Sequence, residues 1–330
     1  MNGTFWQRLT TGVTRLRQRA DWAGFVGSDW AAHIMDAAVT DRFHAKQGRS
    51  TGRWILEADD GRRLAVYLKR HYELPWFDRL RALIRPGGAW SPAMQEWQHL
   101  EWASAQGLLV PSPVAAGEFV GPWGRLQSFL AVEELAGMLP LHEAIPAAQT
   151  ALDAETFLRW KATLTAEVAR QSRELHDRAC FHKDLYLCHF YIPADDTTRL
   201  PTWRGRVYMI DLHRLGHHPW TRFLWQVKDL AQLLYSSDVA GVTARDRLRF
   251  WKVYLGAGRR QGMGRLLRRC ILGKWRRYRR HNEPAESDRG GLVNSAHGLR
   301  ASEETSGCGI SPPLPHGRRE RNGREQRNGA

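Results

Sequence analysis

Along the first 135 residues apolar and polar positions tend to alternate, the period of a half-buried strand. Residues 40–46 and 53–57 read as two strands joined by the turn Gln47-Gly48-Arg49-Ser50-Thr51-Gly52. Asp59-Asp60-Gly61 is a tight hairpin signal. It leads into a third strand over residues 64–69, Leu-Ala-Val-Tyr-Leu-Lys. Two more strands are predicted over residues 115–119 and 126–132. Between the third strand and these two, Phe77, Leu80, Leu83 and Ile84 fall at helical spacing, closed by Arg85-Pro86-Gly87-Gly88. Ser91-Pro92 then reads as an N-cap followed by proline at the first helical position. That helix carries Met94, Trp97, Leu100 and Glu101 and ends near Gly107. Past Glu133-Glu134-Leu135-Ala136-Gly137 the 3.6-residue period takes over. Helices are predicted over 156–178, with Leu158, Leu164, Val168 and Leu175 inward, and over 225–235 and 244–255.

Strands first and helices second, with an extended segment between, predict an α+β fold in two lobes. The N-lobe, built on an antiparallel sheet, spans 35–135, and the mainly helical C-lobe spans 136–282. Residues 1–34 form a basic amphipathic segment, with Phe5, Leu9, Val13 and Leu16 beside Arg8, Arg15, Arg17 and Arg19. Residues 283–330 are rich in Gly, Ser, Pro, Asn and Arg and lack apolar periodicity, so they are expected to be disordered.

Charge adds a partner class to this picture. The chain of 330 residues carries a formal net charge of +15. Residues 259–280 contain no Asp or Glu, and arginines fill all but one side of a predicted helix whose apolar stripe is Leu267, Ile271, Trp275 and Tyr278. Such a helix suits an anionic membrane surface; packed on the large lobe, it would present solvated arginines. No nucleic-acid reader motif accompanies it. No apolar run reaches the ~18 residues of a membrane span, and the start of the chain lacks the apolar core of a secretory signal. The expectation is a cytoplasmic protein, peripheral at the inner face of the cytoplasmic membrane. Cys180, Cys188, Cys270 and Cys308 show no zinc spacing, and Cys180 and Cys188, in an apolar run, read as buried apolar side chains.

The chemistry concentrates in His182-Lys183-Asp184-Leu-Tyr-Leu-Cys-His189-Phe-Tyr-Ile. A His-x-Asp triplet opens the catalytic loop of kinases, and five residues later those enzymes place a metal-binding Asn. Here that position is His189. Phosphoryl transfer needs a lysine on the nucleotide phosphates, an acid that orients it, a carboxylate for magnesium and a base at the acceptor hydroxyl. In chain order the candidates are Lys69 with Arg70 competing, Glu96 with Glu101 as alternative, Asp184, and Asp211 after the apolar run Val-Tyr-Met-Ile. His182 is expected to brace the loop and Lys183 to reach the transferring phosphate. His189 has two open roles: a metal ligand, or a hydrogen-bonding support for Asp211 or Asp184. Gly48 and Gly52 either cover phosphates or make a plain turn. Asp211 is followed by Leu-His-Arg-Leu-Gly, and no Ala-Pro-Glu anchor occurs, which argues against a regulated activation loop.

These residues resemble the bacterial lipopolysaccharide core kinases, the Kdo and heptose kinase family, whose catalytic loop also tends to end in Cys-His-Phe. Ile-Asp211-Leu-His-Arg, Glu96-Trp97, Val110-Pro111, Glu133-Glu134-Leu135 and Lys228-Asp229-Leu-Ala-Gln-Leu belong to the same likeness, which covers roughly residues 35–260. The resemblance implies a protein-kinase-like fold and ATP- and Mg²⁺-dependent phosphorylation of a sugar hydroxyl in the lipopolysaccharide inner core. It implies Asp184 as base, Asp211 as metal ligand and Lys69 with Glu96 as the nucleotide clamp, and it makes His189 a family trait whose contact with the metal stays open. Glu133 and Leu135 in the hinge, with Gly48 and Gly52, are the further nucleotide contacts. The rival readings are a kinase-like enzyme acting on a small molecule or a protein, and a kinase-shaped binding protein without activity.

Overall fold

The structure, a computed structural model, describes residues 13–39, 41–46, 48–73, 91–121, 126–256 and 261–282, together with Trp6, Thr10, Trp76, Phe77 and Leu80. The alternating half of the chain becomes one antiparallel sheet. Among the described residues it contains β1 (Val13–Gln18), β2 (Asp41–Lys46), β3 (Arg49–Glu57), β4 (Arg63–His71), β5 (Pro113–Val120) and β6 (Leu126–Glu133). Their spatial order is β1-β5-β6-β4-β3-β2. In β4, Leu64, Val66, Leu68 and Arg70 are buried on one face, while Ala65, Tyr67 and Lys69 take the other. This follows from the two-residue period of strand side chains.

That alternation separates Lys69 from its competitor. Arg70 is buried on the outer face, where Nη1 donates to the carbonyls of Ala37 at 2.7 Å and Met35 at 3.0 Å, and Nε donates to Ser50 Oγ at 3.2 Å. Lys69 is left for the inner face.

Two expectations about the N-lobe change. Residues 13–18, assigned from sequence to an amphipathic segment outside the lobes, form β1, in register with β5 from Val13↔Val120 to Gln18↔Ala115. The chain then crosses the outer face through α1 (Ala23–Val26) and α2 (Trp30–His33). Trp22, Trp30 and Ile34 pack on Leu64, Val66, Leu68 and Phe129. Without that layer the apolar face of β4 would meet water, so the segment supplies the second side of the sheet. The close fit shows at Gly117, where an added Cβ would sit 2.3 Å from Phe129. The second change is in the glycine turn. β3 begins at Arg49, so Gly52 is a strand residue opposite Leu68, and only Gly48, at φ 73°, keeps a turn conformation.

The inner face receives α3 (Pro92–Ala105), capped as predicted by Ser91, whose Oγ accepts from Met94 N. Met94, Trp97 and Leu100 join Leu130 and Val132 in a core continuous with the C-lobe. The predicted helix around Phe77 and Leu83 lies largely outside the described residues, as does the tail 283–330.

After the hinge come β7 (Met138–Pro140), α4 (Leu141–Ala151) and α5 (Ala154–Asp177). α5 points Phe157, Trp160, Leu164, Val168 and Leu175 inward, and Leu158 is exposed, contrary to the sequence reading. Leu158 is six residues from Leu164, about 240° around a 3.6-residue helix, and so faces away. β8 (Cys180–Phe181), β9 (Phe190–Pro193), β10 (Tyr208–Met209) and β11 (Gly216–His217) frame the loop segments. β10-β9-β7 make one small sheet and β11 pairs with β8.

α6 (Arg222–Ser236), α7 (Ala244–Leu255) and α8 (Gln261–Asn282) complete the lobe. On α8 the apolar stripe is taken: Leu267 and Ile271 pack with Val227, Leu230, Ala231 and Tyr254. Arg265, Arg268, Arg269, Arg276 and Arg277 are exposed. Among the described residues no helix is long and apolar enough to cross a membrane.

Candidate active site

The His182–Asp184 loop is set by a buried acid. Asp229 of α6 is fully buried and accepts the backbone N–H groups of His182 and Lys183, each at 2.8 Å. His176 meets the same carboxylate through Nε2 at 3.2 Å, and its Nδ1 lies 2.8 Å from the Tyr254 hydroxyl. This grip holds Lys183 in the left-handed region at φ 67°, a conformation that a non-glycine residue keeps only where its surroundings enforce it. On the same helix Lys228 Nζ donates to the Lys183 carbonyl, and Gln232 Nε2 donates to the Tyr186 hydroxyl at 2.9 Å. Positions 228, 229 and 232 share one helical face. His182 Nε2–H donates to Ile210 O at 3.0 Å, just before Asp211.

The second part of the site lies between lobes. α3 carries Glu96, 4% exposed, to 2.7 Å from Lys69 Nζ, and Asp211 Oδ1 is 3.4 Å from the same nitrogen. Glu101, the alternative partner, is exposed on another face. Burial alone would lower the Lys69 pKa, but Glu96 and Asp211 outweigh it and raise it. Asp211 has φ 61°. Burial would raise its pKa, but Lys69 first, and then the His213 Nδ1–H bond at 2.8 Å, hold it well below the usual carboxylate range. One turn after Glu96, His99 Nδ1–H donates to Leu212 O at 2.8 Å. α3 thus fixes both the lysine and the chain leaving Asp211.

His189 joins the two parts. Its Nδ1 is 2.7 Å from the Asp184 carbonyl oxygen, so Nδ1 carries the proton. Burial, then the nearby His182, pushes its pKa down to about 4. The ring is therefore neutral near pH 7, and the Nε2 lone pair is 3.8 Å from Asp211 Oδ2. Asp184, 6% exposed, accepts from Arg214 Nη1 at 3.0 and 3.2 Å. Lys183 Nζ lies 5.0 Å from the Trp225 ring centre.

The structure thus gathers Lys69, Glu96, Asp184, His182, His189 and Asp211 into one cluster. Gly48 instead packs against Glu73. In the hinge Glu133 N donates to Ser112 O at 2.9 Å, its carboxylate takes Arg19 at 2.6 Å, and Leu135 is half-buried. Sequence reasoning gave no role to Asp229, His99 or Gln232. An acid two turns inside an amphipathic helix, and a histidine one turn after Glu96, were the available signals.

Residues 41–254 match the model of the Lipopolysaccharide kinase (Kdo/WaaP) family. The chain belongs to this family. It is 32% identical over 204 residues to the lipopolysaccharide core heptose(I) kinase WaaP of Pseudomonas aeruginosa, covering 62% of this chain and 74% of that protein. To WaaP of Escherichia coli K12 it is 33% identical over 165 residues, covering 50% of this chain and 60% of that protein. A solved structure of WaaP in complex with acyl carrier protein matches with a TM-score of 0.61 and 26% identity, over 82% of this chain and all of the other. The fold is accordingly the two-lobed kinase-like one expected of a Kdo/WaaP kinase, and the enzyme class is a phosphotransferase with a sugar hydroxyl as acceptor.

Proposed function

We propose that this Kdo/WaaP kinase transfers the γ-phosphate of ATP to a heptose or Kdo hydroxyl of the lipopolysaccharide inner core, with Mg²⁺. The observation that carries the reading is the Lys69–Glu96 pair at 2.7 Å with Asp211 3.4 Å from the same lysine. In this reading Lys69, oriented by Glu96, neutralises the nucleotide phosphates. Asp184 accepts the proton of the attacking hydroxyl, His182 braces its loop and Lys183 offers charge to the phosphate. Glu133 and Leu135 place the nucleotide base at the hinge, and the hairpin with Gly48 and Gly52 covers the phosphates.

The donors present suit magnesium. Among the described residues no group of three or more His, Cys, Asp or Glu could hold a metal. Mg²⁺ is ordinarily held by one or two carboxylates with substrate phosphates and water, and Asp211 provides the carboxylate. Its Oδ2 faces the His189 lone pair, which makes His189 the second candidate ligand. The ion would supply charge neutralisation between the phosphates.

The test is incubation with γ-labelled ATP and lipopolysaccharide from cells lacking this protein. Label in the lipopolysaccharide fraction, with a mass gain of one phosphate group, is the expected result. Label confined to protein or to small molecules would support the rival kinases, and no transfer at all the non-catalytic reading.

Two partners follow. With the apolar stripe of α8 packed inward, contact with an anionic membrane at the inner face of the cytoplasmic membrane is through its exposed arginines, by charge and without insertion. Nothing favours nucleic acid. The second partner is an acyl carrier protein, as in the solved WaaP complex. A cavity of about 440 Å³ in the C-lobe, lined mainly by apolar side chains including Ile145, Val168, Leu230, Leu234, Trp251 and Ile271, has the chemistry of an acyl-chain site. An acylated carrier protein is expected to be retained by the immobilised kinase and the unacylated form released. Equal behaviour of the two would remove the cavity from the interaction.

A further inference from the structure

Asp184 sits in a ring of cations. Arg214 Nη1 is 3.0 Å from one of its oxygens and 3.2 Å from the other. Lys228 Nζ is 3.7 Å from the carboxylate. Lys183, the preceding residue, and Lys228 lie 5.0 and 5.6 Å from the centre of the Trp225 ring. The nearby acid Asp229, fully buried under the loop and engaged by the N–H groups of His182 and Lys183, offsets part of this charge. Lys183 and Lys228 are both held below the ordinary lysine pKa, first by burial, and Arg214 lowers each further. Three positive groups against the two carboxylates Asp184 and Asp229 leave a local excess of one positive charge, and a cleft with such an excess concentrates anions.

Within the ring Arg214 is the member best placed to take a ligand. Its side chain is 46% exposed, against 20% for Lys228, and Lys228 is also bound to the Lys183 carbonyl. Arg214 meets Asp184 through Nη1 alone. A guanidinium has five donors in a planar fork, so one edge can stay on a carboxylate while the other receives a second anion. Gly216 leaves room for the Lys183 side chain at the edge of this ring, since an added Cβ would come within 2.4 Å of Lys183 Nζ.

We propose that Arg214, Lys228 and Lys183 form an anion subsite in front of Asp184, in which Arg214 binds a phosphoryl or carboxylate group beside the attacking hydroxyl. The proposal rests on the kinase reading above. Two groups have the required chemistry: the phosphoryl group in transfer, and an acidic group on the acceptor glycan near the target hydroxyl. No covalent step is added. Arg214 contributes charge and orientation, and the proton still goes to Asp184.

The experiment compares wild type, Arg214→Ala and Arg214→Lys with ATP and lipopolysaccharide from cells lacking this protein, measuring kcat and the KM for each substrate. The expected loss in kcat/KM for Arg214→Ala is ~10²-fold or more, the scale of removing one preorganised donor from a transition state. Arg214→Lys should keep part of the activity. If Arg214 binds the phosphoryl group, kcat falls, both KM values hold, and added guanidinium ion restores part of the rate. If it binds an acid of the glycan, the acceptor KM rises, and the defect disappears on an acceptor stripped of its acidic groups. Kinetic constants of Arg214→Ala within about twofold of wild type overturn the proposal. So does a loss that tracks a lowered melting temperature and that neither guanidinium nor lysine relieves. A wild-type protein that transfers nothing to this acceptor would instead overturn the kinase reading itself.

Discussion

Asp184→Ala abolishes transfer to the lipopolysaccharide acceptor and leaves the protein folded. In the proposed reaction the carboxylate accepts the hydroxyl proton, and a positioned general base contributes ~10²- to 10⁴-fold. Loss of its orienting contacts to Arg214 and Gln232 adds to this. The fold survives because the loop does not hang on Asp184. Asp229 still holds the N–H groups of His182 and Lys183, and Lys228 keeps the Lys183 carbonyl. Arg214 loses its partner but is half in solvent, where a lost ion pair has little effect on stability. Single-turnover transfer of labelled phosphate, read beside a thermal melt, checks both halves. Transfer near the wild-type rate would remove Asp184 from the chemistry. A collapse of the melting temperature would make it a structural residue.

The contrast between Asp184 and Asp229 shows what the sequence could reveal. Asp184 was legible because kinase chemistry fixes the local order His-x-Asp, and Asp211 because a carboxylate after an apolar strand has few other uses. Lys69 and Glu96 were legible from strand and helix order, and the two-residue period of β4 then decided between Lys69 and Arg70. Asp229 acts across 46 residues, through backbone N–H groups that carry no side-chain signature. His99 acts through the Leu212 carbonyl, 113 residues away. Contacts to backbone atoms leave the partner's identity free, so nothing in the partner's sequence marks them. The role of residues 13–34 was hidden for another reason. β1 pairs with β5, about a hundred residues further on, and its alternation of Val, Leu and Arg fits a helix and an edge strand about equally well. Only the open backbone edge of β5, which β1 pairs from Val13↔Val120 to Gln18↔Ala115, selects the strand.

Asp211→Asn should abolish magnesium-dependent nucleotide binding, and the reason lies in the electrostatics of the cluster. Lys69 and His213 keep the Asp211 carboxylate ionised far below neutral pH, so in the proposed site a negative oxygen is available to the metal. The amide keeps the shape and loses that charge. A ligand that binds only the folded state at a hundred times its Kd stabilises by ~2.7 kcal/mol. The wild-type melting temperature should therefore rise more with ATP and Mg²⁺ together than with ATP alone, and in Asp211→Asn the difference should vanish. An undiminished difference would take the metal away from Asp211. His189→Asn then resolves the neighbouring ligand. The His189 proton is committed to the Asp184 carbonyl, leaving a nitrogen lone pair toward Asp211 Oδ2. Nitrogen suits Mn²⁺ better than the harder Mg²⁺, and an asparagine oxygen reverses that preference. If His189 touches the metal, His189→Asn lowers the ratio of Mn²⁺- to Mg²⁺-supported activity. If it only holds the Asp184 carbonyl, the two activities fall together and the ratio stays where it was.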